Sequence, residues 1–248
     1  SRWAPQVRLT TSEPSFAASL RAQHDAAYLF YARGSPAANM SPHHFVVALA
    51  IRLRTLPGNM CDLPKTCRCG TTVTVQPEAI EHALRCDRMS HYGHTVRHND
   101  VRDAIVAVAR QYGISATIEP QFYSDYYVGT VARRPDVTFH VWPKLVTDVT
   151  IVSTGDEVGI EAAKAAAHKR EIHASAAQAV GHLFIPFAME TYGHRDKCCF
   201  ELVDQLMKSL PPQHHRQFRF DMNHAVSSSL AAARAATVSS AMQSLRLA

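Results

Sequence analysis

Apolar residues recur at helical spacing in some stretches of the chain and alternate or run together in others. Ser15 to Arg33 is helix-like, with Phe16, Leu20, Ala27 and Phe30 as its apolar members. Ser41–Leu56 predicts a second helix: Ser41 can cap it, Phe45, Leu49 and Leu53 recur at four-residue spacing, and Pro57-Gly58 ends it. A third helix is predicted from a cap at Asn99, with Val101, Ile105, Val108 and Tyr112 on one face and Gly113 as its stop. Three β-like runs come next, Ser115–Tyr127, Asp136–Trp142 and Leu145–Val152. The second alternates, with Val137, Phe139 and Val141 on one side and Asp136, Thr138 and His140 on the other. An Ala-rich helix is expected over Glu157–Val180, a strand over His182–Met189, a helix over Asp196–Leu210, and a helix-permissive Ala/Ser-rich segment over Ala225–Leu247. That order predicts an α/β fold from about 99 to 210, a mixed sheet covered by helices, with the 157–180 helix crossing one face. The expected division is an N-terminal arm and helices (1–60), a small Cys/His element (61–98), the α/β domain (99–215) and a C-terminal helical tail (216–248).

Composition narrows this little. The chain has 248 residues, 46% hydrophobic and 19% charged, enough to bury a sizeable core. No apolar run reaches about 18 residues, so no membrane-spanning helix is expected. The start, Ser1-Arg2-Trp3-Ala4-Pro5, has neither an initiator Met nor an apolar signal core and reads as the beginning of an excised fragment. A net charge of +5 suits a polyanionic partner, and equally suits a mildly basic protein with none.

Six Cys change the picture more. Cys198 and Cys199 are adjacent, too close for a relaxed mutual disulfide. Cys67-x-Cys69 is followed, after twelve residues, by His82-x-x-x-Cys86. His82 and Cys86 sit one turn apart on a predicted short helix, Pro77–Cys86, and Gly70 permits the sharp turn after the first pair. Two thiolates and a Cys/His pair can converge on a structural, tetrahedral Zn²⁺. Cys61 could replace one ligand, and His91, His94 and His98 lie near.

The second constellation is acidic. Arg134-Pro135-Asp136 opens one β-run, and Asp148 lies in the middle of the next, among Leu, Val and Ile. A buried carboxylate is costly unless a cation or hydrogen bonds compensate it. Two on neighbouring strands form a candidate Mg²⁺ or Mn²⁺ site, with Glu119 as a third acid. Lys164 and Lys169 on the next helix could approach it. The plainer reading has Asp136 capping a turn, Asp148 in a buried ion pair and both lysines solvated.

Taken in order, Cys67-Arg68-Cys69-Gly70, His82-Ala83-Leu84-Arg85-Cys86, Arg97-His98-Asn99-Asp100, Glu119-Pro120, Arg134-Pro135-Asp136, Asp148-Val149, Lys169 and Pro186-Phe187-Ala188-Met189-Glu190-Thr191 resemble the restriction-like endonuclease region of site-specific non-LTR retrotransposons, over about residues 41–210. The resemblance implies a PD-(D/E)xK-type nuclease fold preceded by a zinc knuckle. It implies Asp136, Asp148 and the Val149 carbonyl as ligands of Mg²⁺ or Mn²⁺, Glu119 as an upstream acid, and Lys169 as the helix lysine that assists the nucleophile, with Lys164 as the alternative. The family often carries Tyr one turn after its lysine, where this chain has His173. Arg97 and His98 are expected to contact phosphate or support the site, and Arg133, Arg134 and Lys144 to hold the DNA backbone. The implied activity is nicking of a double-stranded target in the nucleus. The freed 3′ hydroxyl then primes a reverse transcriptase domain of the same polyprotein, with the element's RNA as a further partner.

Three rivals stand beside this reading. A copy that keeps fold and zinc could bind nucleic acid without cutting. An enzyme like the archaeal Holliday junction resolvases would prefer four-way junctions. The Ala-rich segment at 225–247 could make the chain an oligomerisation scaffold.

Overall fold

The computed structural model describes residues 40–53, 55–60, 62–120, 134–155 and 157–247. The helix expected at Ser15–Arg33 falls outside them. The first described helix, α1 (Pro42–Arg52), starts where its sequence predicts, with the Ser41 hydroxyl accepting from His44 N–H at 3.1 Å.

A short hairpin comes next, β1 (Lys65–Thr66) and β2 (Thr72–Val73), antiparallel and joined through Cys67–Thr71. Gly70 in that turn has φ +93°, a conformation costly for any residue with a Cβ. Helix α2 (Gln76–Arg85) packs against the hairpin, and Cys86, in an extended conformation, separates it from α3 (Asp87–Gln111).

Helix α3 corrects the expected boundaries. Asn99 lies within it and caps nothing, and residues 87–98 run without a break into the helix that opens the α/β domain. The run 87–98 is rich in His and polar residues and has no apolar period of its own. Much of α3 is instead supported by α6 (Pro212–Ser244), along which it packs extensively.

The sheet is mixed, as expected. Strand β3 (Ala116–Ile118) pairs antiparallel with β4 (Val137–Phe139), and β4 antiparallel with β5 (Leu145–Thr147). Beyond β5 lies β7 (Leu183–Phe184), parallel. The expected 145–152 strand is interrupted at Asp148 and resumes as β6 (Val149–Val152), which pairs parallel with β8 (Phe187–Glu190). Leu145 pairs with Leu183 and Val149 with Phe187, the same offset, so the two short ladders are one ladder with a break. The break falls at Asp148, between the bonds that Ile185 N–H gives the Val146 carbonyl and Phe187 N–H gives the Asp148 carbonyl, both 2.9 Å. The expected 115–127 run shortens to β3: Glu119, at φ +49°, ends it, and residues 121–127 lie outside the described ones.

Helix α4 (Ile160–Ala179) lies against β6, β7 and β8, and α5 (Lys197–Met207) against β8 and α6. The α4 residues Ala162, Ala166, Ala176 and Ala177 are buried, and their small side chains allow a close approach.

Two hydrophobic cores result. One joins the sheet, α3, α5 and the first half of α6 through Val101, Ile105, Phe139, Val149, Phe187, Leu202, Phe218 and Leu230. The other joins α1, the hairpin, α2 and the second half of α6 through Val47, Ile51, Cys67, Ile80, Leu84, Ala235 and Val238. The expected C-terminal tail is therefore a central strut. Helix α6 has 33 residues, about 50 Å at 1.5 Å per residue, and reaches both cores. The chain then adds β9 (Arg246–Leu247) to β1. With Ala231, Ala235 and Ala241 inside the second core, the surface expected to drive self-association is covered by this chain itself. No described helix is long and apolar enough to cross a membrane.

Candidate functional site

The break between β5 and β6 gathers the chemistry. Asp136, just before β4, accepts the Val149 N–H on Oδ2 at 2.6 Å. Val149 pairs with Phe187 without giving its N–H to β8, because the ladder bond there runs from Phe187 N to the Asp148 carbonyl at 2.9 Å. N–H and C=O of one strand residue share an edge, so the Val149 carbonyl is turned toward the Asp136 side.

Asp148 is 4% exposed and holds two partners, a lysine and a histidine. Lys169 Nζ lies 2.7 Å from Oδ1 and His173 Nε2 lies 2.9 Å from Oδ2. Burial alone would raise the Asp148 pKa. The His173 hydrogen bond and the Lys169 charge outweigh that and hold it below the usual carboxylate range.

His98, on α3, places Nε2 2.9 Å from Asp136 Oδ2 and Nδ1 3.1 Å from Asn99 Oδ1. Burial works against its protonation. The Asp136 bond, with smaller help from Asn99 and the charge of Asp148, reverses this and raises the imidazole pKa above its ordinary value. Five side chains from four places in the chain thus form one linked group: Asp136, Asp148, His98, Lys169 and His173.

Several expected members are elsewhere. Arg97, expected at the DNA, is 1% exposed and donates to the Leu84 carbonyl at 3.2 Å, with His94 Nδ1 2.9 Å away. Neighbours on a helix point about 100° apart, so α3 sends His98 to Asp136 and Arg97 into the interior, out of a phosphate's reach. Burial, with the charge of Arg234, lowers its pKa to about 10. Glu119 gives its carboxylate to Arg102, 2.9 Å away, rather than to the aspartates, although its N–H bonds the Asp136 carbonyl at 2.7 Å. Lys164 pairs with Glu161 at 2.7 Å on the surface and is not joined to Asp148. Arg134 is exposed beside Asp136, Lys144 is exposed at the far end of the β4–β5 hairpin, and Arg133 lies outside the described residues.

Sequence reasoning misses two contributors. His173 enters it only as a departure from a Tyr. Its signal is legible nonetheless: Ala162, Ala166, Lys169, His173 and Ala176 have 4-3-4-3 spacing, so Lys169 and His173 belong to the stripe of α4 that faces the sheet. Glu190, at the end of β8, is 0% exposed and accepts the Gly159 N–H at 2.8 Å. Gly159, the N-cap of α4, has no side chain to cap with, so a carboxylate from another strand does it. Burial pushes the Glu190 pKa up, partly countered by the helix N–H groups it accepts.

The second candidate centre is the Cys/His cluster. Cys67, Cys69, His82 and Cys86 each offer a ligand atom, and these lie within 4.8 Å of one another. Cys67 and Cys86 sulfurs are 3.7 Å apart, and Cys69 Sγ is 3.5 Å from His82 Nε2. Around tetrahedral zinc, with Zn–S about 2.3 Å and Zn–N about 2.0–2.1 Å, the edges measure about 3.8 Å between sulfurs and about 3.6 Å between sulfur and nitrogen. The four side chains are therefore spaced for such an ion, and the cluster can hold a metal such as zinc. Hydrogen bonding to Thr71 lowers the Cys69 thiol to about 6, while burial pushes Cys67 up to about 11. Cys61, the alternative ligand, is outside the described residues. His94 and His98 are engaged with Arg97 and Asp136 instead.

Compared with known proteins, the chain matches no family model and no curated protein.

Function therefore has to be read from the site itself. Its oxygen donors, Asp136, Asp148 and the Val149 carbonyl, are the hard ligands a Mg²⁺ or Mn²⁺ ion takes. The Lys169 ammonium on Asp148 Oδ1 occupies the kind of place where a cation would share that oxygen. This donor set fits a divalent ion.

Proposed function

We propose that this chain is a divalent-metal-dependent DNA endonuclease of the PD-(D/E)xK type, which nicks a double-stranded target for a non-LTR retrotransposon. One observation carries the reading. Asp136 is bonded to the residue next to Asp148, and Asp148 is bonded to a lysine from the helix that crosses the sheet. Two acids and a lysine meet at a break in a mixed sheet, with the parallel strand entering after that helix. The same order of parts underlies the resemblance of the sequence to the retrotransposon domain.

In this reading Asp136, Asp148 and the Val149 carbonyl would hold Mg²⁺ or Mn²⁺, and the ion would supply a lowered water pKa and neutralisation of phosphate charge. Val149 N–H and His98 keep Asp136 Oδ2 in place. His173 keeps Asp148 Oδ2, so Oδ1 is the oxygen open to exchange between Lys169 and a cation. Lys169, beside Oδ1, would hydrogen-bond a phosphate oxygen or the attacking water. Arg134, exposed beside Asp136, holds the DNA backbone. The nick would prime a reverse transcriptase domain of the same polyprotein, copying the element's RNA, in the nucleus.

A second reading has an observation of its own. Both oxygens of Asp148 are already occupied by Lys169 and His173, which would let the same fold bind nucleic acid without cutting. A plasmid-nicking assay with Mg²⁺ or Mn²⁺ separates the two. Wild type is expected to relax supercoiled plasmid, Asp148→Asn to abolish this, and Lys169→Met to slow it about 10²-fold or more. Equal nicking by all three refutes the site. Binding without nicking in wild type favours the second reading.

A further inference from the structure

The β4–β5 hairpin carries a feature that the cleavage chemistry does not use. Its tip is His140-Val141-Trp142-Pro143-Lys144. Trp142 is 96% exposed, the most exposed large hydrophobic side chain among the described residues. Tryptophan is usually well buried, and an indole left in water needs a reason.

Its surroundings hold basic groups together with Leu183, which is 37% exposed. His140 and Lys144 are exposed on the same tip. The turn before β7 is tied to it, with the Leu183 N–H donating to the Lys144 carbonyl at 2.9 Å, and this brings in His182. Burial, then the charges of Lys144 and His140, lower the His182 pKa, which places His182 in the field of both. Residues 140–145 and 178–183 contain no Asp or Glu.

A surface that docks an apolar protein face offers a contiguous apolar patch. Here one aromatic ring stands beside a lysine and two imidazoles, a combination that can stack a nucleobase while holding its phosphates. Inside a duplex each base face is already covered by its neighbours, so only an unpaired base presents a free face to the indole.

We propose that Trp142 is a stacking finger for an unpaired nucleobase of a single strand, with His140, Lys144 and His182 taking the adjoining phosphates. The choice of a nucleic acid rests on the function proposed above. The finger is separate from the aspartates: Asp136 precedes β4 and Asp148 lies just past β5, whereas Trp142 is at the other end of both strands. Four residues of strand separate Asp136 from His140, about 13 Å, or about four base steps at 3.4 Å each. A strand bound at the aspartates would meet the finger a few nucleotides away.

The chain has two tryptophans, Trp3 and Trp142, so Trp3→Phe leaves Trp142 as the only one. That variant, in an Asp148→Asn background to prevent cutting, is titrated with an oligo-dT, an oligo-U of equal length, a blunt duplex and heparin. Single strands are expected to quench Trp142 emission, the duplex and heparin much less. Trp142→Ala, measured by fluorescence anisotropy of a labelled oligonucleotide, is expected to weaken single-strand binding about 5- to 150-fold. Trp142→Phe should recover most of that loss, and the salt dependence should be unchanged. Lys144→Ala should instead reduce the salt dependence and leave the quenching amplitude alone. Preference between oligo-dT and oligo-U assigns the strand to DNA or RNA. Equal quenching by heparin, or unchanged affinity in Trp142→Ala, overturns the finger. Quenching by single strands from a protein that never nicks plasmid would sink the nuclease reading and leave the finger standing.

Discussion

At the scale of single residues, Asp148 is the most informative position. It sits among apolar strand neighbours, is 4% exposed, and stays ionised because Lys169 and His173 each take one oxygen. Removing the His173 bond leaves a buried carboxylate oxygen without that partner. His173→Phe is therefore expected to destabilise the fold by about 1.5–3 kcal/mol, read as a lower urea midpoint at unchanged slope. No loss of stability would mean that His173 is a bystander. The two aspartates can be picked out of the sequence because an acid inside an apolar run is an anomaly at any level of description. His98 and His173 are marked less directly, His98 by the resemblance and His173 by its place on the α4 stripe that carries Lys169. Histidine is unremarkable on a helix until its partner across space is known.

At the scale of elements, α4 shows how a helix is held in place to present Lys169 and His173. Its N-cap, Gly159, has φ +87°, and a Cβ there would lie 2.6 Å from His194 Nε2. Gly159→Ala is expected to cost about 1–2 kcal/mol for the left-handed backbone alone, before the contact with His194 adds to it. The measurement is chemical denaturation, and a neutral effect would show that the turn before α4 is not constrained. Helix α5 is capped in the ordinary way, by Asp196 accepting the Cys198 N–H at 3.0 Å. Burial would raise the Asp196 pKa, but the hydrogen bonds from Cys198 and the charge of Arg170 hold it low. Its folded pKa thus lies below the unfolded value of about 3.9. The cap's ionic contribution is complete above that value and disappears as pH falls through the folded pKa. Asp196→Ala should cost about 1 kcal/mol at pH 7, with the gap from wild type narrowing below about pH 4. A gap that widened on acidification would contradict this. Helices α1, α2, α4 and α5 begin close to where caps, Pro and Gly in the sequence indicate, but α1 stops at Arg52, short of the expected Leu56, and α5 at Met207, short of Leu210. Helix α3 does not, because it runs through Asn99 without a break and packs as a whole along α6.

At the scale of the whole molecule, two cores share one strut. The Cys/His cluster belongs to the second core, where Cys67 is 3% exposed and packs with Ile80, Leu84 and the far half of α6. A metal there would stabilise more than a peripheral loop. One zinc per chain is expected by elemental analysis. Its removal with a strong chelator is expected to lower Tm by roughly 10 °C, from about 4 kcal/mol of binding free energy at a thousandfold excess over Kd. Absence of zinc together with an unchanged Tm in Cys69→Ser would rule the cluster out as a metal site.

The sequence by itself determined the local events. Periodicity, caps and Pro/Gly punctuation marked most helices and strands, and the rarity of acids in apolar runs and of Cys/His at short spacing marked both centres. Tertiary structure decided the rest. It turned an Ala/Ser-rich tail into the central helix, because small residues on every side carry no amphipathic signal yet allow the closest packing. It joined Asp136 to Val149, drew His98 and His173 in, and sent Arg97 to the interior while leaving Lys164 to a surface glutamate and Glu119 to the buried Arg102. Those choices depend on which residues distant in the chain become neighbours in space, a relation that no local pattern encodes.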